Sequence, residues 1–165
     1  MRERNLALRK QEKRLSGASV SRKLSMIVST KNVVVFIAII LLAHLLAIAF
    51  GWYAYSWVGT AIHFLLGVWS VILFFHLFDH FVGEHATHQT SERIKILIIA
   101  VSFSSLLAII WEAHEYFLGQ SFAIYIQQSV GDVTANLFVD LLGALVAALV
   151  ILYHRNSRRP NSTVK

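Results

Sequence analysis

Six polar residues lie inside or beside long apolar segments, where polar and ionisable side chains are costly and are therefore candidates for function. They are His63, Glu112, Glu115, Asp132, Asn136 and Asp140. Asp132, Asn136 and Asp140 recur every four residues, so they form one stripe on a helix. Gly143 and Ala144 follow close to that face, and such small residues let a neighbouring helix approach closely. The stripe is therefore expected to face protein.

The candidate residues are also predicted to reach a common depth. His63 lies six residues beyond Trp57, about 9 Å at the helical rise of 1.5 Å per residue. Asp140 lies seven residues beyond Val133, about 10 Å by the same rise. Glu112 and Glu115 lie at the end of the third apolar segment, three residues apart and on one helical face. The prediction is one ligand-binding site on three helices: His63, Glu112, Asn136 and Asp140 at one level, with Glu115 and Asp132 at the rim.

The charge of this site predicts a ligand. Up to four carboxylates surround one histidine, and no Lys or Arg is expected at that depth. Like charges repel, and removal from water penalises the ionised form of each carboxyl group. A proton, a divalent metal ion or a cationic ligand group would supply the balance. The alternative is that these groups only hydrogen-bond one another and hold the helices together.

A second, weaker metal candidate lies further along the second apolar segment. His76 and His80 are four residues apart on one helical face, which suits a transition metal. The order His-x-x-Asp-His is similar to the His-x-x-Glu-His of inverted zinc peptidases, but Asp79 stands where that motif has its catalytic Glu. We favour a charged loop next to the membrane, because more polar residues follow: Glu84, His85 and His88. His44 is expected to hydrogen-bond within the bundle.

Four segments are apolar enough to position these residues in a membrane. A membrane-spanning helix needs about 20 mostly apolar residues, and such segments cover about 33–51, 57–78, 94–115 and 133–153. The chain is 56% hydrophobic, more than a soluble domain of 165 residues can bury. It has no cysteine, which excludes disulfides and thiolate ligands. The predicted fold is an all-α integral membrane four-helix bundle over residues 32–154.

The distribution of positive charge predicts the orientation of the bundle. All fifteen Lys and Arg lie in residues 1–31, at Arg93 and Lys95, or after His154. By the positive-inside rule both termini are cytoplasmic, and the basic tails 1–31 and 155–165 face anionic lipid rather than nucleic acid. Aromatic residues are expected to mark the outer interface: Trp52, Tyr53, Tyr55 and Trp57. Residues 117–131 are expected to form a re-entrant or interfacial segment over the mouth of the site.

Several short motifs resemble those of known families. The run from Ile62 to Gly67 is similar to the His-Phe signature of VanZ-like membrane proteins, and residues 112–116 and 131–144 resemble the related YjdF-like inner-membrane proteins. The resemblance covers roughly residues 62–148. Asn136 and Asp140 stand in exchanged order relative to the YjdF-like pattern, so individual roles are not carried over. The resemblance implies a multi-pass protein of a bacterial or archaeal cytoplasmic membrane, an outward-facing polar site and a link to the cell envelope.

Three functions fit these observations. The favoured one is a membrane component that binds an ion or an amphipathic, envelope-related ligand through the predicted site. The second is a metal-assisted membrane hydrolase or transferase, with His63 and carboxylates as metal ligands and Glu112 or Glu115 as base. That function lacks a convincing nucleophile or a complete ligand motif. The third is a scaffold subunit. The sequence leaves catalysis and oligomerisation open, and the lipid bilayer is the one partner that it predicts directly.

Overall fold

Four long helices make up the fold. The structure is a computed structural model, and it describes residues 29–82, 90–122 and 129–156. In order the helices are α1 (Thr30–Ala49), α2 (Ser56–Val82), α3 (Thr90–Phe122) and α4 (Val130–Asn156), and a single 3-10 turn, Trp52–Ala54, joins α1 to α2. Each helix contains a stretch long and apolar enough to cross a membrane. The described ranges contain no strand. The predicted all-α four-helix membrane fold is therefore confirmed.

Large apolar side chains cover the outside of the bundle. Ile39, Ile98 and Leu149 are each at least half exposed, and similar residues recur along all four helices. A helix that is apolar on every face belongs in a core or in lipid, and these faces are not buried by protein. The exposed surface is therefore the surface that lipid would cover.

The two ends of the bundle differ in charge. One end carries the 3-10 turn, the C-terminal end of α3 and the start of α4, and is called the turn end below. The opposite end carries the basic residues of the described ranges and is called the basic end: Lys31, Arg93, Lys95 and Arg155. The prediction from charge places the turn end outside the cell.

Helix α3 is longer than the predicted span of 94–115. It begins at Thr90 and continues to Phe122, so Glu112 and Glu115 lie well inside a regular helix. The first part of the predicted interfacial segment, residues 117–122, is a continuation of α3 rather than a separate segment. The reason is that no proline or glycine pair breaks the helix after Glu115. Residues 123–128 of that segment lie outside the described ranges.

Helices α2 and α4 touch backbone to backbone at two glycines. A Cβ atom on Gly67 would lie 2.0 Å from the carbonyl oxygen of Asp140. A Cβ atom on Gly143 would lie 2.3 Å from the carbonyl oxygen of Phe64. No side chain fits at either position, so the small residues allow the close approach that the sequence predicts for α4.

The apolar core has two halves, one towards each end of the bundle. Towards the turn end, Ile40, Ile62 and Trp111 bring α1, α2 and α3 together. Towards the basic end, aromatic and small residues of α2, α3 and α4 pack together, with Phe75 and Ala148 fully buried. The polar site described next lies beside the first half of the core.

Candidate functional site

The site is centred on the imidazole of His63. Its Nδ1 atom lies 3.0 Å from Oδ2 of Asp140, so α2 and α4 are joined by a hydrogen bond between groups that are each 1% exposed. A carboxylate only accepts hydrogen bonds, so Nδ1 carries the proton and donates it. The other ring nitrogen, Nε2, is buried and makes no hydrogen bond within the described ranges. In the neutral imidazole, Nε2 therefore presents a lone pair.

Two carboxylates of α3 face that lone pair. Oε2 of Glu115 lies 3.6 Å from Nε2 of His63, and Oε1 of Glu112 lies 3.8 Å from it. The two glutamates are three residues apart, so one helical face presents both. One atom from each of His63, Glu112 and Glu115 lies within 4.8 Å of the other two. Three helices thus bring four ionisable side chains to one point.

Glu115 lies at the centre of the site rather than at its rim. It is 1% exposed, whereas Glu112 is 7% exposed and lies nearer the surface. The indole Nε1 of Trp111, one turn earlier on α3, donates to Oε1 of Glu115 at 2.9 Å. The hydroxyl of Tyr53 also donates to Oε1, at 3.5 Å. Both donors bind the same oxygen, so Oε2 is left to face His63.

Two residues that the sequence did not assign to the site join it from α1 and the turn. His44 lies with Nδ1 2.5 Å from the hydroxyl of Tyr53 and 3.6 Å from Oε1 of Glu115. Burial, together with the negative charge of Glu115, raises the pKa of the Tyr53 phenol, which therefore stays protonated. The expected hydrogen bond of His44 within the bundle is present. Tyr53 was expected only at the interface.

Within the described ranges, no Lys or Arg lies near the site. Lys95 precedes Glu112 by 17 residues on α3, which is about 25 Å at the helical rise. Arg155 follows Asp140 by 15 residues on α4, which is about 22 Å. The remaining Lys and Arg of the described ranges are at the basic end as well. Ionisation of all three carboxyl groups would leave a net negative charge, even with both His63 and His44 protonated.

Two of the candidate residues on α4 lie outside this cluster. Asp132 is exposed and caps the helix: its carboxylate accepts from the backbone N–H and hydroxyl of Ser129, and its own N–H donates to that hydroxyl. Asn136 is half-buried. The reason is geometric, because residues four apart are rotated by about 40° and displaced by about 6 Å. A stripe of this spacing cannot reach one point.

The second candidate cluster is described only in part. Nε2 of His76 lies 3.1 Å from the hydroxyl of Thr30, a contact between α2 and α1. Asp79 forms an ion pair with Arg155, whose guanidinium also lies 4.6 Å from the ring centre of Phe75. These contacts join helices at the basic end. The side chain of His80 and residues 84, 85 and 88 lie outside the described ranges.

Apolar and aromatic side chains separate the two clusters. One polar pair lies between them, where the hydroxyls of Ser70 and Ser104 are 2.5 Å apart. Further towards the basic end, Phe74, Phe75 and Phe103 form ring contacts within the core. The site around His63 is therefore closed towards the basic end.

Trp111 contacts the site and is absent from the predicted set, although the sequence contains a signal for it. Trp111 precedes Glu115 by four residues, so the two share a helical face and their contact was predictable. Tyr53 gave no such signal, because nothing in its neighbours distinguishes it from the other aromatic residues of residues 52–57. Its place in the site depends on where the turn directs its side chain, which reaches Glu115 of α3.

Comparison with known families supports the membrane assignment. The family model described as predicted membrane protein (DUF2238) matches residues 19–157, and the chain belongs to that family. The match covers all four helices. No curated protein and no solved structure matches the chain.

Proposed function

We propose that this DUF2238 membrane protein binds a cation in the buried pocket formed by His63, Glu112, Glu115 and Asp140. The observation that carries the proposal is the charge balance of the site. Three carboxylates and one imidazole are almost fully buried, and every Lys and Arg of the described ranges lies at the other end of the bundle. Burying several ionised carboxylates without enough positive charge to balance them costs folding free energy. A bound cation would offset that cost.

The size of the pocket favours an ion over the cationic group of an amphipathic ligand. One atom from each of His63, Glu112 and Glu115 lies within 4.8 Å of the other two, so a central point is within about 2.8 Å of each. A small inward shift would bring the three atoms to the roughly 2.0–2.6 Å of metal–ligand bonds. An alkylammonium group is larger and is usually held against aromatic faces. The carboxylates and imidazole of this pocket instead present oxygen and nitrogen atoms.

The route to the pocket is proposed to start at the turn end. Glu112 is the most exposed of the four pocket residues, and the aromatic core closes the other side. With the orientation predicted from the Lys and Arg distribution, the turn end faces out of the cell. The protein would therefore take its cation from the outer side of the membrane, and the resemblance to VanZ-like and YjdF-like proteins would fit a role at the cell envelope.

The two alternative functions fit less well. A metal-assisted hydrolase would need Glu112 or Glu115 as its base, but both carboxylates face Nε2 of His63 and would be occupied by the ion. A scaffold would need the polar groups to satisfy one another. The distances of 3.6 and 3.8 Å from Nε2 to the two carboxylates exceed a normal hydrogen bond. Binding without catalysis is therefore favoured.

The test is the melting temperature of the purified protein in detergent after treatment with a chelator. Zn²⁺, Mn²⁺, Mg²⁺, Ca²⁺ and Na⁺ are added separately. We expect at least one to raise the melting temperature, since a ligand at 100 times its Kd contributes about 2.7 kcal/mol. Glu112→Gln should remove the shift. The matched control is Glu92→Gln, which changes an exposed acid of the same helix and should keep it. The proposal fails if no cation stabilises the wild type.

A further inference from the structure

We infer that the cation is a first-row transition-metal ion of the Zn²⁺ type, bound by Nε2 of His63 and one oxygen from each of Glu112 and Glu115. The inference rests on the proposed function and names the class of ion. It further assigns Asp140, Trp111 and Tyr53 as positioning residues, each of which orients a ligand without touching the ion.

The first support is the spacing of the three ligand atoms. In a tetrahedral zinc site the nitrogen and oxygen ligands lie about 2.0–2.2 Å from the ion, so neighbouring ligand atoms are about 3.4 Å apart. Nε2 of His63 lies 3.6 Å from Glu115 and 3.8 Å from Glu112. These separations are too long for good hydrogen bonds. These two separations need to contract by only a few tenths of an ångström to fit the ion. The ligand oxygens of Glu112 and Glu115, which lie within 4.8 Å of each other, would move closer as the ion binds.

The second support is the buried Nε2 atom of His63. Nε2 of His63 belongs to a side chain that is 1% exposed, makes no hydrogen bond in the described ranges and lies within 4 Å of both carboxylates. A buried polar atom without a partner is costly. In the neutral imidazole beside an ionised Asp140, Nδ1 donates to Asp140 and the Nε2 lone pair is directed towards the site. A carboxylate behind a metal-binding histidine is a recurring feature of metal sites.

The third support concerns selectivity. Oε1 of Glu115 accepts from Trp111 and Tyr53, so Glu115 offers the ion a single oxygen, Oε2. Ca²⁺ requires six to eight oxygen ligands and commonly uses a bidentate carboxylate. Mg²⁺ also prefers oxygen, whereas imidazole suits Zn²⁺ and its neighbours in the first row. Three protein ligands would leave one tetrahedral position for water or a ligand.

The principal experiment uses the full-length protein in detergent, with Co²⁺ as a spectroscopic probe and Zn²⁺ as competitor. We expect one Co²⁺ per chain with the intense visible absorption of tetrahedral cobalt, and its displacement by Zn²⁺ but not by excess Ca²⁺ or Mg²⁺. Weak absorption typical of octahedral cobalt, or displacement by Ca²⁺, would overturn the inference. Stabilisation by Ca²⁺, Mg²⁺ or Na⁺ with no binding of Co²⁺ or Zn²⁺ would also overturn it but leave the proposed function standing. If no cation binds, both fail.

Variants test the individual roles. His63→Gln should abolish Co²⁺ binding, and His76→Gln, which changes a histidine at the basic end, should leave it intact. Asp140→Asn should weaken Zn²⁺ binding by about 10–100-fold, the usual effect of losing a carboxylate behind a ligand. Unchanged Zn²⁺ affinity in Asp140→Asn would show that Asp140 does not position His63 for metal binding. If His63→Gln fails to fold, the wild-type cobalt spectrum and Asp140→Asn still decide the question.

Selectivity is tested at the residues that hold Glu115. Tyr53→Phe removes the hydroxyl donor, and Trp111→Phe replaces the indole by a smaller aromatic ring without an N–H, so each removes one hydrogen bond to Oε1. The double variant should lower the ratio of Zn²⁺ to Ca²⁺ affinity, because Glu115 could then turn and bind through both oxygens. Unchanged selectivity in a folded double variant would show that these two residues do not position Glu115.

Discussion

The carbonyl oxygen of Asp140 lies 2.0 Å from the position that a Cβ atom would take on Gly67. Gly67 follows His63 by one helical turn. Asp140 therefore contacts α2 twice, with its backbone carbonyl against Gly67 and with its side chain hydrogen-bonded to His63. The glycine contact therefore sets the separation of α2 and α4 at the depth of the pocket. Packing and site geometry are linked through one point.

Replacing this glycine should damage both packing and binding. Gly67→Ala places a methyl group against backbone atoms that cannot rotate away, and overpacking of this kind costs about 1–3 kcal/mol or more. We expect a lower melting temperature and loss of the cation-induced shift. Gly59→Ala is the control, since its Cβ would meet only the ring of Tyr53 at 3.6 Å, an ordinary contact. Equal effects of the two substitutions would show that the close approach does not hold the site.

Asp140→Asn should separate binding from folding. The amide can still accept a hydrogen bond from His63, and interhelical hydrogen bonds in membranes average only about 0.6 kcal/mol. Without added cation, the melting temperature should hold or rise, because one buried negative charge, which is costly to keep out of water, is removed. With added cation, the shift should be much smaller than in the wild type. A variant that unfolds in detergent would make Asp140 a structural residue instead.

The orientation is open to direct measurement, because the chain has no native cysteine. Ser56→Cys and Ser91→Cys each place one thiol at an exposed position, at the turn end and the basic end respectively. In intact cells an impermeant thiol reagent should label Ser56→Cys only. After the membrane is permeabilised, both should react. Labelling of Ser91→Cys in intact cells would reverse the predicted topology and move the pocket to the inner side.

The ion pair between Asp79 and Arg155 should contribute more than the one between Glu92 and Lys95. The first pair is largely shielded, with 26% and 9% of the two side chains exposed, whereas the second has 42% and 66% exposed. We expect Asp79→Asn to lower the free energy of unfolding by about 1–2 kcal/mol, and Glu92→Gln by about 0.5 kcal/mol or less. Denaturation of the purified proteins in mixed micelles measures both. Equal losses would contradict a structural role for the Asp79 pair.

The helices and most of the pocket were predictable for different reasons. A membrane-spanning helix is recognised from length and composition alone, because crossing the hydrocarbon core takes about 20 mostly apolar residues with their backbone hydrogen bonds made within the helix. The pocket residues stand out because an ionisable side chain is rare in such a segment. Counting residues from the start of each span, at 1.5 Å per residue, predicted the common depth of His63 and Asp140. Helix ends were less accurate, since α3 continues beyond residue 115 without a local signal to stop it.

What the sequence by itself determined is the set of four apolar helices and the depth of each polar residue along its own helix. Only the tertiary structure decided which of those residues meet. It placed Glu115 at the centre, left Asp132 as a helix cap and added Tyr53 from the turn. The physical reason is that position along a helix follows from counting residues. The facing of one helix towards another depends on contacts such as Gly67 against Asp140, which lie far apart in the chain.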